Sequence, residues 1–155
     1  MLKIVGDGHD KKELEAFVKL SNCKNIEFCG YKSGNELDEI IRKSLFIIVP
    51  SEWYENCPYT IIEGMSFGKP VIGSDLGGIK ELVKDKWNGL LFKHGDDKDL
   101  SEKINYLLNN SHLIESYSKN ALEFANNNFN SDLYYNNLIK LCYKSLNESK
   151  SHRLF

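Results

Sequence analysis

Alternation of short apolar runs with helix signals, from Leu2 to Phe92, constrains this chain more than any other feature. The runs "LKIV" (2–5), "IEFCG" (26–30), "LFIIVP" (45–50), "PVIGS" (70–74) and "GLLF" (89–92) read as strands. "LFIIVP" is apolar throughout, as a strand covered on both faces should be. Asp10-x-x-Glu13 and Ser33-x-x-Glu36 read as capping boxes. Leu14, Phe17 and Val18 follow the first at helical spacing, and Leu37, Ile40 and Ile41 follow the second. Strands alternating with helices imply βαβ units and a parallel sheet with right-handed crossovers, a Rossmann-like α/β architecture.

After Phe92 only helical periodicity remains. Leu100, Ile104, Leu107 and Leu108 would line one helix, and Ile114, Tyr117, Ala121, Phe124 and Ala125 a second. Tyr134, Leu138, Leu141 and Cys142 would line a third, beyond a polar break at 126–130. A single domain is expected over 1–146, with 147–155 as a disordered tail.

Charge excludes some partners. The net charge of −2, with both signs interspersed, gives no footprint for nucleic acid or an anionic membrane. No apolar run approaches the length of a membrane span. Cys23, Cys29, Cys57 and Cys142 match neither zinc nor redox spacings, so reduced thiols and a cytoplasmic location are expected. Asp7, Asp75 and Asp85 are too scattered for a metal site, so neither metal nor cofactor is implied. A solvated loop position accounts for His9. No G-x-G-x-x-G opens a helix after a strand, which argues against a nicotinamide dehydrogenase.

Ligands of parallel sheets bind beyond the carboxyl ends of the strands. The loops of interest are therefore 6–9, 30–33, 50–58 and 74–78. The segment "PSEWYENCPYTIIEGMSFGKPVIGSD" (50–75) carries the strongest signals. Pro58 fits a helix start, and Gly68 with Pro70 a helix stop, giving a helix over 58–67. Its first-turn N–H groups at Tyr59, Thr60 and Ile61 would be free to receive a phosphate, with the Thr60 hydroxyl beside them. Glu63, leaning back toward the helix start, could accept from both hydroxyls of a ribose. Glu55, on the other side of the helix start, could do the same for a second polyol. Gly77 and Gly78 would bare a second set of N–H groups. Each piece alone has an ordinary structural reading; their order is what points to a nucleotide sugar.

These residues resemble the donor-binding half of the retaining GT-B glycosyltransferases, the group 1 family marked by a Glu-x7-Glu motif. Glu55 and Glu63 reproduce that spacing, and "GMSFGKPVIGSD" is similar to the turn and strand that follow it. The likeness extends through "LKIVGDG" and "IEFCGYKSGNELDEIIRKS" to about Leu108. It implies that Glu63 binds the ribose and that Glu55 acts beside the reacting carbon of the donor sugar. Backbone groups of Asn56, Cys57, Pro58, Tyr59 and Thr60 would hold pyrophosphate and sugar oxygens. Gly77 and Gly78 would approach sugar and phosphate, and Gly6 and Tyr31 would lie near the nucleoside. Asn56-Cys57-Pro58 stands where the family often has Gly-Phe-Gly, and Gly64 replaces the usual Ala, which costs an isolated helix about 1 kcal/mol.

The resemblance further implies an acceptor-binding N-terminal domain, or a partner chain, and a central strand ahead of residue 1. Residues 2–5 and 45–49 would then pair directly, or another chain would fill the gap, with self-association a consequence. The expected function is donor binding for a transfer to an acceptor hydroxyl, with the chain alone inactive. A non-catalytic nucleotide-sugar-binding or partner-binding module is the alternative. A nucleotide-sugar epimerase of the same shape is a third.

Overall fold

A computed structural model describes residues 1–151. The chain divides into two compact units, Met1–Lys43 and the residues from Ser44 onward, where a single domain was expected. The strands form two separate parallel sheets that share no strand, so the direct pairing of 2–5 with 45–49 is not formed.

In the first unit, strands β1 (Leu2–Val5) and β2 (Ile26–Gly30) pair in parallel, linked by helix α1 (Lys11–Leu20). Helix α2 (Asn35–Lys43) follows. Neither expected capping box forms. Asp10 stands at the start of α1 in a helical conformation (φ −82°, ψ −4°), which takes its carboxylate away from the first-turn N–H groups. It meets His9 Nε2 at 3.2 Å instead. Helix α2 starts beyond Ser33 because Gly34 adopts a left-handed φ of +53° and its carbonyl accepts from Asp38 N–H (3.0 Å). Leu14 and Phe17 keep their helical spacing but remain exposed.

The carboxyl ends of β1 and β2 are clasped by Asp7. Its Oδ2 accepts from Tyr31 N–H (2.8 Å) and its Oδ1 meets Lys11 Nζ (2.5 Å). Gly6 N–H donates to Gly30 O (2.8 Å) in the same place. The Lys11 hydrogen bond, then that from Tyr31 N–H, hold the Asp7 carboxyl below the usual aspartate range. A depressed carboxylate contributes stability above its unfolded pKa and loses it as pH falls through the folded value. The clasp should therefore open only below roughly pH 4. The amide signal of Tyr31 in an acid NMR titration checks this; a midpoint at or above that of an unfolded aspartate would contradict it.

The second unit holds strands β3 (Ile47–Val49), β4 (Val71–Ser74) and β5 (Gly89–Phe92) in that spatial order, all parallel. Helices α3 (Tyr59–Ser66) and α4 (Ile79–Leu82) lie between them in sequence, followed by α5 (Asp97–Asn109), α6 (Ser111–Asn128) and α7 (Ser131–Ser151). Successive residues of β4 point to opposite faces of the sheet. Val71 enters a core with Ile61, Met65, Ile79, Val83, Ala121 and Ala125. Ile72 enters another with Leu90, Phe92, Leu107 and Tyr117. Both faces of β4 are thus covered. Of the run 45–50, expected as a strand covered on both faces, only Ile47–Val49 forms strand; Leu45 and Pro50 are exposed and Ile47 and Ile48 half-buried.

Helix α3 ends in a Schellman motif: Gly68 takes φ +66°, its N–H reaches Met65 O (2.9 Å), and Lys69 N–H reaches Gly64 O (2.9 Å). Gly64 meets Ile47 of β3, where an alanine methyl would overlap the Ile47 side-chain tip. Glycine at 64 leaves that tip in place. Helix α5 gains a cap the sequence reading passed over, since Asp96 Oδ1 accepts from Asp99 N–H (3.1 Å).

Leu107 is buried, but Leu108, expected on the same face, is exposed. Residues 126–128 of the expected break belong to α6, and the side chain of Asn130 caps α7, accepting from Asp132 N–H (2.8 Å). Helix α7 carries Tyr134, Leu138, Leu141 and Cys142 exposed rather than packed. It runs to Ser151, through residues expected as tail; 152–155 lie outside the described residues.

Candidate functional site

The loop between β3 and α3, residues 50–58, is held to neighbouring elements by hydrogen bonds. Ser74, buried at the end of β4, donates from Oγ to Ser51 O (2.7 Å). The Ser51 hydroxyl donates to Glu55 Oε1. Glu55 N–H returns to Trp53 O (2.9 Å), closing a three-residue turn with Tyr54 at its apex. Glu55 O then accepts from Gly78 N–H (2.7 Å). Four hydrogen bonds thus fix where Glu55 stands. The side chain is half-buried, and Oε2 has no partner among the described residues.

Gly77 and Gly78 exist for this loop. Gly77 has φ +51°, and a methyl group there would lie 2.9 Å from Glu55 O and 3.3 Å from Tyr54 Cα. A methyl on Gly78 would overlap Asn56 O and stand 2.8 Å from the Asn56 carbonyl carbon. The expectation that this glycine pair bares a free set of N–H groups holds only for Gly77, whose N–H has no acceptor among the described residues. Gly78 N–H is taken by Glu55 O, and Ile79 N–H by Leu76 O (3.2 Å). The backbone comes close because a loop packs on it.

Helix α3 begins one residue later than expected. Pro58 is buried and extended (φ −70°, ψ 105°) as the cap, not the first helical residue. Ile61 N–H donates to Pro58 O (3.0 Å) in a tight first turn, so the free set shrinks to Tyr59 and Thr60. Neither of those N–H groups has an acceptor among the described residues. Positions 59, 60, 63 and 66 are exposed and lie on one face of the helix, while Ile61, Gly64 and Met65 are buried on the other. The sequence therefore places Tyr59, Thr60 and Glu63 in one row running from the positive end of α3. The Glu63 carboxylate makes no hydrogen bond or ion pair among the described residues. It borders a shallow groove with Ser66, Asn126 and Phe129.

Asn56 and Cys57 are exposed in the loop, and Cys57, like the other three cysteines, is a free thiol. Gly6 and Tyr31 belong to the first unit, where the Asp7 clasp brings them together. Among the described residues no group of three or more His, Cys, Asp or Glu could hold a metal ion. None of the described helices is long and apolar enough to cross a membrane. Sequence reasoning missed Ser51 and Ser74, the two hydroxyls that anchor the loop. Ser51 does carry a signal, standing four residues before Glu55 at the end of a buried strand. It also missed Asn88, fully buried, whose Oδ1 accepts from Lys84 N–H (2.8 Å) and whose Nδ2 donates to Leu82 O (3.0 Å). That residue braces the turn into β5.

The family model of group 1 glycosyl transferases matches residues 1–124. An uncharacterized glycosyltransferase of Methanocaldococcus jannaschii is 41% identical over 123 residues, 79% of this chain and 35% of the relative. The N,N'-diacetylbacillosaminyl-diphospho-undecaprenol alpha-1,3-N-acetylgalactosaminyltransferase of Campylobacter jejuni is 30% identical, covering 76% of this chain and 31% of its own length. The chain spans about a third of the length of such curated relatives. Among solved structures, sucrose-phosphate synthase of Thermosynechococcus elongatus aligns at a TM-score of 0.82 and 26% identity, over 96% of this chain and 39% of that one. The HepE protein of Anabaena, solved with UDP-glucose, aligns at 0.81 and 24% identity, over 92% of this chain and 40% of that one. The α/β arrangement is that of the C-terminal half of the GT-B fold. On the match over 124 of its 155 residues, the chain belongs to the group 1 glycosyl transferases.

Proposed function

We propose that this chain is the donor-binding half of a retaining glycosyltransferase. It holds a nucleoside-diphosphate sugar at the start of α3. The observation that carries this reading is the pinned Glu55 loop beside an open helix start, with Glu63 free on the same helix. The diphosphate sits against the Tyr59 and Thr60 N–H groups and the Thr60 hydroxyl, where the helix dipole is positive. Glu63 accepts from the ribose hydroxyls. Glu55 faces the sugar, its orientation set by Ser51. Asn56, Cys57 and Pro58 line the passage between them with backbone groups, and Gly77 and Gly78 hold the loop in register. No metal is needed in this arrangement, because the helix start offsets part of the diphosphate charge.

In the complete enzyme the bond from the anomeric carbon to the diphosphate oxygen breaks. The acceptor oxygen takes its place on the same face, and its proton leaves with the diphosphate. The acceptor site and the closure that excludes water come from the remainder of a longer protein or from a partner chain, so this chain alone does not transfer sugar. We place it in the cytoplasm, where nucleotide sugars are made. Strands β1 and β3 each have a ladder on one side only among the described residues, and such edges favour strand pairing with another chain. Sedimentation of the purified chain should accordingly show self-association rising with concentration; a monomer at every concentration removes that part of the proposal.

The test of the donor site is calorimetric titration of the chain with UDP-, GDP- and ADP-sugars. Saturable binding of one base, competed by the free nucleoside diphosphate, is the expected result and names the base. Absence of binding across the panel removes the donor reading for this chain.

A further inference from the structure

A diphosphate at the start of α3 meets a charge deficit that the helix alone does not fill. From Ser44 to Gly68 the chain has no Lys, Arg or His, and its charged residues are Glu52, Glu55 and Glu63. A helix start offers the equivalent of roughly half a positive charge, and a diphosphate carries more than one full negative charge. The remainder has to come from a cation outside this stretch that stands at the carboxyl ends of the strands.

Most lysines near the sheet of the second unit are turned elsewhere. Lys69 precedes β4, with its Nζ on Ser44 O (2.8 Å), and Lys84 and Lys86 precede β5, so all three lie toward the amino ends. Lys93 follows β5, the strand farther from β3, and turns to Asp96 (3.5 Å). Lys80 differs. It belongs to α4, and its Nζ reaches back to Asp75 Oδ1 (2.9 Å). Asp75 is the residue directly after β4, where its N–H donates to Phe92 O (2.7 Å) at the end of β5. The ammonium is therefore held at the carboxyl edge of the sheet. The same segment carries Gly77 and Gly78, the backbone on which Glu55 and Asn56 rest, and Lys80 follows Gly78 by two residues. Both partners of the ion pair are about half exposed, and such pairs are weakly held.

From this placement we infer that Lys80 is a donor-binding residue, whose ammonium leaves Asp75 and pairs with the diphosphate at the start of α3. The inference rests on the donor reading above and supplies the cation that reading lacks. A diphosphate displaces a single carboxylate because it brings more charge and more accepting oxygens to an ammonium with three donors. Asp75, half exposed, returns to water. The two residues therefore act with opposite signs: Lys80 supports binding, and Asp75 competes with the ligand for Lys80.

The test is calorimetric titration of the chain with inorganic pyrophosphate and with UDP, GDP and ADP, for the parent and for Lys80→Ala, Lys80→Arg and Asp75→Asn. Lys80→Ala should weaken the diphosphates about tenfold or more and make their binding less sensitive to salt. Lys80→Arg, which keeps the charge, should retain most of the affinity. Asp75→Asn should strengthen binding by about threefold, since Lys80 is then free of its competitor. An ion pair that only supports the fold gives another pattern: Lys80→Ala and Asp75→Asn weaken binding together and lower Tm alike, and that result overturns the inference. Equal affinity in Lys80→Ala, in a chain that binds a nucleoside diphosphate, overturns it too and leaves the donor reading standing. Pyrophosphate binding that needs Lys80 and gains nothing from an attached nucleoside would support Lys80 and overturn the donor reading instead. Failure of the parent to bind any of these probes overturns both.

Discussion

Gly78→Ala is expected to lower stability by on the order of 3 kcal/mol, a fall in Tm of roughly 6–12 °C, and to abolish measurable donor binding. The backbone of Gly78 is ordinary right-handed helix (φ −67°, ψ −12°), so alanine brings no torsional strain. The effect is entirely one of contact. The new methyl overlaps Asn56 O and lies 2.9 Å from Glu55 O, and both are main-chain atoms that cannot rotate aside. Relief requires moving the loop, which stretches the Gly78 N–H bond to Glu55 O and takes Glu55 away from its place. Gly64→Ala is the natural comparison. There the methyl overlaps Ile47 Cδ1 and comes within 3.1 Å of its Cγ1, side-chain atoms that can shift where backbone cannot, and alanine's better helix propensity offsets part of the repacking, so a loss of about 1 kcal/mol is expected. Thermal melts of the two variants decide the point. Equal Tm values would mean that the loop does not rest on Gly78 as described.

Glu63→Ala should behave in the opposite way, with donor affinity falling about 100-fold or more while Tm stays within a degree or two of the parent. The carboxylate is exposed and has no partner among the described residues, so the folded state loses no contact with it. Alanine also suits a helix slightly better than glutamate. In the complex, by contrast, the carboxylate accepts from two ribose hydroxyls, and hydrogen bonds to a charged group are worth about 1.5–3 kcal/mol each. Glu63→Gln should fall between, because an amide offers one accepting oxygen where the carboxylate offers two. Calorimetry with the nucleoside diphosphate that the parent binds, beside a melt of each variant, reads both quantities. Unchanged affinity in Glu63→Ala would remove the ribose role.

The order and kind of the elements were legible in the chain itself. Strands at 71–74 and 89–92 follow from continuous apolar runs that a sheet covered on both faces buries. Those at 2–5 and 26–30 follow from shorter runs broken by Lys3 and Glu27, and the first stays largely exposed. The row Tyr59, Thr60, Glu63 follows from the helical repeat once Pro58 and Gly68 mark the ends of α3. Local signals did less well where two local options compete. Asp10 could cap or fold into the helix, and Gly34 moved the start of α2 because left-handed backbone is open to it.

Tertiary contacts decided what the motif is built on. Glycine tolerates both exposed N–H groups and close packing, so Gly77-Gly78 reads as a bared backbone until Asn56 and Glu55 are seen resting on it. Ser51 and Ser74 are common residues whose importance lies in a hydrogen-bond chain between chain segments 23 residues apart. Tyr134, Leu138 and Leu141 have the spacing of a packing face, yet periodicity says only that a face exists, not what covers it. The sequence by itself determined the α/β class and the carboxylates flanking a helix start, because both depend on spacing along the chain. The fixed position of Glu55, and the division of the chain into two units, depend on residues distant in sequence meeting in space, and only the folded structure supplies those.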